Sequence, residues 1–313
     1  MTRIMIGVTG IVELSFRAIN GPASGDIGTT VPASGPVNSG IRSQGQEGEM
    51  NKHAALVTGA SSGIGVDIAR ELAGRGMSVI LVARRRERLE SLAAELEARG
   101  VRALALDCDL ADRQQLNGLM ARAGEWLDAE ALVLTVLVNN AGTGVWDWFE
   151  NQTREISQRD IDLNVTALTT LCHDFVAIAR AHGEPAHILN IASLAAMLPT
   201  PRFVVYSATK AYVQRFSEIL DYELRQSNIS VTCCCPGGVL TEFMQHAGQE
   251  LKGETGMMAS TDVARQAVQA MFAGQVVHVP GVLNKLSTLV RFLPRSLKIR
   301  LVEKSMLVTV QDK

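Results

Sequence analysis

The 313-residue chain has little charge imbalance, few cysteines and no long hydrophobic run. Thirty lysines and arginines stand against 32 aspartates and glutamates, a formal charge of −2. Nucleic-acid binders carry a basic excess or stripe, so polyanion binding has no global support here. No uninterrupted apolar stretch approaches the roughly 18 residues that a membrane-spanning helix requires. Five cysteines are an odd set for a disulfide framework, and Cys233, Cys234 and Cys235 are adjacent. Neighbours on a strand point to opposite faces and are poorly placed to bridge. They read as small space-filling residues on a buried strand, and a reducing, cytoplasmic compartment is expected. The six histidines are scattered, no Cys/His cluster has zinc spacing, and no metal site is expected. What is plentiful, 47% apolar with 20% charged residues, is the composition of a globular domain with a sizeable core.

Residues 1–49 differ from the rest. Pro22, Pro32 and Pro36, with Gly and Ser repeated between Gly21 and Gly48, are too poor in large apolar side chains to order themselves. A disordered extension is expected, with Met50 directly before the folded pattern marking a natural start; an amphipathic targeting peptide around Arg3 and Arg17 is the weaker account. From His53 onward, apolar runs alternate with helical patterns. The runs are Ala54–Val57, Val79–Val82, Ala103–Leu106, Leu134–Val138, Ile188–Ile191, Ile229–Cys233 and Val276–Val279. Helical periodicity falls near Ile64–Arg75, Arg86–Arg99, Asp112–Gly124, Arg159–Ala181, Ser207–Arg225 and Thr261–Phe272. Strands apolar along their whole length are buried on both faces, as in parallel sheets. The expectation is therefore α/β: one doubly wound, mostly parallel, Rossmann-like domain over residues 51–313, with helices on both faces. Ligands of such sheets sit beyond the carboxyl ends of the strands.

The first run leads into Thr58-Gly59-Ala60-Ser61-Ser62-Gly63-Ile64-Gly65 and then a helix. Glycines permit a tight turn and close backbone approach, and the helix start offers free N–H groups to a pyrophosphate. The plainer account is a turn that is glycine-rich for conformation alone, but its place between buried strand and amphipathic helix favours a nucleotide. The second run ends at Ala83, where NAD-preferring folds place a carboxylate for the ribose hydroxyls. Arg84, Arg85 and Arg86 follow and oppose the helix dipole, offset partly by Glu87 and Glu90. A bound 2′-phosphate would remove that conflict, with Arg84 as its direct partner through a planar fork. NADP(H) is expected over NAD(H); the alternative is a solvated basic helix face.

Of three tyrosines, Tyr206, Tyr212 and Tyr222, only Tyr206 has a lysine four residues on, Lys210. That spacing puts both on one helix face. A neighbouring ammonium favours phenolate and so lowers the tyrosine pKa, making Tyr206 a proton donor to a carbonyl or an acceptor from an alcohol. Ser193, at the end of the fifth run, would hydrogen-bond the same oxygen.

Gly59/Gly63/Gly65, Asn139-Asn140-Ala141-Gly142, Ser193, Tyr206-x-x-x-Lys210 and Pro236-Gly237 occur in the order and spacing of short-chain dehydrogenases/reductases. The chain resembles that family over nearly all of residues 51–280, in its compact single-domain, NADP(H)-using form. The resemblance implies an oxidoreductase that exchanges hydride between NADP(H) and a carbonyl or secondary alcohol. It implies that Asp109 contacts the adenine with Leu110 beside it, and that Asn139 stabilises the sheet while Asn140, Ala141 and Gly142 border the ribose. Asn164 would hold a relay water, Lys210 would also bind the nicotinamide ribose, and Pro236, Gly237 and Thr241 would flank the nicotinamide. A homodimer or homotetramer, paired through the helices carrying Asn164 and Tyr206, is likewise implied.

Residues 238–260, with Met244, Met257 and Met258, suit a lid over a fairly lipophilic small-molecule substrate. Trp146 and Trp148 would wall that pocket, or cap the core or an interface. Residues 284–304 set Lys285, Arg291, Arg295, Lys298, Arg300 and Lys304 among leucines and valines. This basic amphipathic tail is expected to pack on the domain or on a partner subunit, with contact to an anionic membrane surface as the alternative. Two other functions stand beside the enzyme: a non-catalytic NADP(H)-binding sensor or scaffold, and a membrane-peripheral protein acting through this tail.

Overall fold

The computed structural model describes residues 52–249, 252 and 256–309, so the expectation for residues 1–49 lies outside the described residues. Every expected apolar run becomes a strand: β1 (His53–Thr58), β2 (Ser78–Ala83), β3 (Ala103–Asp107), β4 (Val133–Asn139), β5 (Ala186–Ile191), β6 (Ile229–Cys234) and, shorter than expected, β9 (Val277–His278). They form one sheet in the order β3-β2-β1-β4-β5-β6-β9, with each neighbouring pair parallel.

Helices cover both faces, because each carries one apolar stripe that has to be buried. On one face α1 (Gly63–Ala73), α2 (Arg86–Glu97) and α8 (Ser260–Phe272) bury Ile68, Leu72, Leu89, Leu96, Val268 and Met271 against the sheet. On the other lie α3 (Arg113–Ala129), α5 (Leu168–His182) and α6 (Val204–Leu224), which bury Leu116, Leu119, Leu171, Phe175, Val213 and Leu224. Cys233 and Cys235 sit in that second layer, and all five thiols are free and buried. A buried hydrogen-bond chain pins the middle of this layer: Asn139 Nδ2 donates to Asn190 Oδ1 (2.9 Å) and Asn190 Nδ2 to Ser217 Oγ (2.9 Å).

The expected helix over Arg159–Ala181 starts earlier and is not uniform. It begins as α4 (Arg154–Ile161), widens into a π turn at Asp162–Ala167 and continues as α5. Sequence periodicity does not reveal such a turn, because one extra residue per turn leaves the apolar stripe readable. The whole run, Arg154–His182, is long and apolar enough to cross a membrane by composition, which the absence of long apolar runs did not anticipate. Its Leu171, Cys172 and Phe175 are instead fully buried on the sheet.

The expected lid, of which residues 250, 251 and 253–255 lie outside the described residues, is more ordered than a loop where it is described. Val239–Leu240 (β7) pairs in parallel with Met258–Ala259 (β8), and Glu242–His246 forms the short helix α7. The basic tail divides into α9 (Val282–Ser287), a 3₁₀ stretch (Thr288–Phe292) and α10 (Arg295–Thr309). The expectation that it packs on the domain holds for Val302, which is buried, and just beyond the tail Met306 packs against the cluster of Trp146, Phe203 and Ala247. It fails for the first half, whose large apolar side chains are exposed.

Candidate active site

The strand order reverses between β1 and β4, and the turns after these two strands open the crevice where ligands of such sheets lie. After β1, Gly59 takes φ +67°, a left-handed conformation, and a Cβ there would stand 2.7 Å from Asn140 Nδ2. At Gly65 a Cβ would strike the Gly59 carbonyl oxygen. Asn140 ties the two turns together, donating from Nδ2 to Thr58 O (3.0 Å), while the Asn140 and Ala141 N–H groups donate to Thr58 Oγ1 at 2.9 and 3.0 Å.

Ser62 stands at the N-cap of α1 but makes no side-chain bond back to the helix, leaving the first N–H groups for a ligand. A dinucleotide phosphate fits that cradle. Around it would lie Gly59, Ser61, Gly63 and Ile64, with Thr241 closing over Gly63: a Cβ at Gly63 would meet Thr241 Cγ2 at 2.8 Å.

Of the three arginines after β2, Arg84 is exposed and its side chain forms no hydrogen bond among the described residues. Arg85 is the surprise. It donates to Ser61 Oγ (3.2 Å) and Ser62 Oγ (2.8 Å) and pairs with Glu242 of α7 at 2.8 Å. Arg88 reaches the same carboxylate at 2.8 Å. These guanidiniums hold Glu242 below the usual carboxylate range. Nothing in the sequence signals a contact across 157 residues.

Asp109, expected at the adenine, accepts from Arg159 Nη2 at 2.8 Å and from Ala111 N at 3.1 Å. Burial works against its charge, yet the Arg159 bond keeps its pKa lowered. The neighbouring Leu110 is buried in the core, and Asp112 caps α3, accepting from Gln114 N and Gln115 N.

The proton-handling groups converge at the ends of β4, β5 and β6. Ser193 follows β5; its hydroxyl accepts from Ala195 N (3.1 Å) and lies close enough to Tyr206 to lower its pKa. The backbone beside it is fixed by Leu194 N donating to Pro236 O at 2.8 Å. Lys210, one turn beyond Tyr206 on α6, is buried; its Nζ donates to Ile191 O (2.8 Å) and lies 5.7 Å from the centre of the Tyr206 ring. Asn164, in the π turn, accepts from Thr143 N (3.0 Å) and donates to Thr143 O (2.8 Å) and Thr209 Oγ1 (3.0 Å). A Cβ on Gly142 would lie 3.2 Å from both Asn164 Oδ1 and Lys210 Nζ, so glycine leaves room for both side chains. Gly237 is crowded by Asn284 in the same way.

The expected lowering of the tyrosine pKa is corrected here. Burial pushes Tyr206 up to about 12, and the nearby Ser193 hydroxyl offsets only part of that. Lys210 is pulled down to about 8, also by burial. Burial is the largest cause of both shifts.

Two features escape a sequence reading. Asp160, one turn before Asn164, is buried with Oδ2 unpaired, and burial raises it to about 6 against the lowering effects of Arg159 and Thr143. The second is an aromatic cluster on Tyr206: Phe203 and Phe243 lie 4.9 and 5.4 Å from its ring, and Trp146 stands edge-on to Phe203 at 5.1 Å. Trp146 is buried in that cluster, whereas Trp148 is exposed under Arg202. Among the described residues no cluster of His, Cys, Asp or Glu could hold a metal.

The family model for short chain dehydrogenases matches residues 53–252. A sulfoacetaldehyde reductase of Chromohalobacter salexigens is 34% identical over 220 residues, covering 67% of this chain and 85% of that protein. A glycine betaine reductase of Emericella nidulans is 33% identical over 198 residues, 63% of this chain but only 15% of its own length. A solved short-chain dehydrogenase from Sphingobium yanoikuyae in complex with NADPH superimposes with a TM-score of 0.69 at 34% identity, covering 76% of this chain and 91% of that one.

Proposed function

The chain belongs to the short-chain dehydrogenase family, and from that premise we propose that it interconverts a lipophilic carbonyl compound and its secondary alcohol with NADP(H), Tyr206 moving the proton. The coarser statement, an oxidoreductase acting on CH–OH and C=O groups with a nicotinamide dinucleotide, follows from the family and its relatives. The observation that carries the finer one is the convergence of Ser193, Tyr206 and Lys210 beside the glycine turns, with Lys210 Nζ 5.7 Å from the centre of the Tyr206 ring.

The dinucleotide supplies or accepts the hydride. In reduction, Ser193 donates to the carbonyl oxygen and orients it. Tyr206 transfers its hydroxyl proton to that oxygen as charge develops there. Lys210 then faces the phenolate and stabilises it, and its proton is restored from solvent through the π turn at Asn164, where the backbone ladder is interrupted and can accept water. Oxidation runs the same steps backwards. Arg84 selects the 2′-phosphate. The aromatic cluster of Trp146, Phe203 and Phe243, together with a lid over residues 238–260, supports an apolar substrate.

A sensor or scaffold would need the cofactor cradle but not the converged Ser193, Tyr206 and Lys210. Absorbance of reduced nicotinamide, followed over a panel of ketones and aldehydes, tests the reading. Turnover with NADPH is expected, and Tyr206→Phe should lose it by about 10³-fold with NADPH binding retained. Equal turnover in that variant removes tyrosine from the central role. We also propose a homo-oligomer paired through α4–α6, where Ile161, Val204, Tyr212, Ile219 and Tyr222, with Phe149 just before α4, leave exposed apolar side chains, and a cytoplasmic location, in keeping with five free thiols.

A further inference from the structure

We propose that residues 282–300 dock this protein on an anionic membrane surface, beside the mouth of its active site. Five large apolar side chains stand in solvent in one short stretch: Val282 is 73% exposed, Leu283 75%, Leu286 57%, Leu289 59% and Phe292 72%. From Leu283 to Phe292 they recur every third residue, as a stripe along α9 and the 3₁₀ stretch that continues it. Isolated exposed leucines are ordinary, but a contiguous exposed apolar strip marks an interaction surface.

Charge selects the partner. Between Val263 and Val302 the sequence has six basic residues and no acidic one, in a chain whose net charge is −2. Arg265 is paired with Asp262. The other five, Lys285, Arg291, Arg295, Lys298 and Arg300, flank the stripe, and none forms a salt bridge among the described residues. A second copy of this chain would set five cations against five with nothing to neutralise them. Anionic headgroups complement these cations, and the acyl region takes the leucines and Phe292.

The strip is tied to the site's rim. Asn284 donates to Pro280 O (2.8 Å), and its side chain lies where a Cβ on Gly237 would be. Further on, Met306 of α10 reaches the aromatic cluster at Trp146 and Phe203. A lipid-soluble substrate would therefore meet the pocket near the headgroups; that consequence rests on the proposed function, whereas docking itself does not.

The test is co-sedimentation of the full chain with vesicles of phosphatidylcholine and phosphatidylglycerol in about a 2:1 ratio, against phosphatidylcholine alone. Binding is expected to the mixed vesicles only and to fall as salt is raised. The double variant L283D/F292D should bind more than about ten-fold more weakly, and R295Q/K298Q should lose about five-fold per charge. Both should keep wild-type turnover of a water-soluble carbonyl, so failure to dock and failure of catalysis are read separately. No sedimentation with anionic vesicles, equal binding to neutral ones, or unaltered binding of L283D/F292D overturns the proposal. So does light scattering in which wild type is a larger oligomer than L283D/F292D while neither binds vesicles.

Discussion

The two halves of the ligand crevice handle charge in opposite ways. On the β1–β3 side the ionisable groups are exposed or half-exposed, ionised and mostly paired: Arg85 and Arg88 with Glu242, and Arg159 with Asp109. On the β4–β6 side they are buried, or half-buried in the case of Tyr206, and pushed towards neutrality, Tyr206 up to about 12, Lys210 down to about 8 and Asp160 up to about 6. Paired surface charges can select a charged ligand at little cost. Groups held near neutrality can exchange protons. The first half has the electrostatics of a binding surface and the second those of a proton-handling site.

Lys210 gives the largest expected break in that comparison. Lys210→Met keeps the length of a buried side chain while removing its cation and its bond to Ile191 O. Turnover is expected to fall by about 10²-fold or more, with the unfolding midpoint little changed. If turnover persisted, the buried half would not depend on its ammonium.

Asp160 tests the same half through stability. Its folded pKa, about 6, lies above the ordinary value of 3.8. Between those values the folded state holds the proton more tightly than the unfolded chain does, so stability falls as pH rises through the window and levels off above it. The two pKa values set this loss at about 3 kcal/mol. Asp160→Asn should abolish it, so denaturation midpoints of variant and wild type should diverge from pH 4 to pH 7. Parallel profiles would show that the carboxyl is better solvated than its burial indicates.

The contrast between halves also explains what could be read from sequence. The binding half is largely local: Gly59, Gly63 and Gly65 span seven residues, and the arginines follow β2 directly. The sheet was legible for a similar reason, since each doubly buried strand is a continuous apolar word. Tyr206 and Lys210 were found because one helix turn sets their spacing. Their pKa values were not, because those depend on Ile191, Ser193 and the surrounding core rather than on the four-residue interval. Trp146, Phe203, Phe243 and Met306 come from four separate elements, and no local pattern announces that they meet.

Within the binding half, Arg84 and Arg85 sharpen the comparison further. If free Arg84 takes the 2′-phosphate, Arg84→Ala should raise the Kd for NADPH by about ten-fold or more and leave NADH almost unchanged, since a charge-assisted hydrogen bond contributes about 1.5–3 kcal/mol. Arg85 shapes the turn for either cofactor through Ser61 and Ser62, so Arg85→Ala should weaken NADPH and NADH alike. Isothermal titration of both cofactors separates the roles, and an exchange of the two patterns would assign phosphate recognition to Arg85.

Phe243 carries the smallest expected effect and probes the border between the halves. It belongs to α7, the helix whose Glu242 is held by Arg85 and Arg88, yet its own ring packs on Tyr206. One five-residue helix thus touches both the charged half and the apolar half. Phe243→Ala removes apolar contact without touching the ion pairs, so KM for a bulky ketone should rise by about five-fold, a fraction of the area lost because the half-buried ring is only partly desolvated. The Kd for NADPH should stay constant. Were both constants to rise together, α7 would act as a single clasp, and the separation of the two halves would end at that helix.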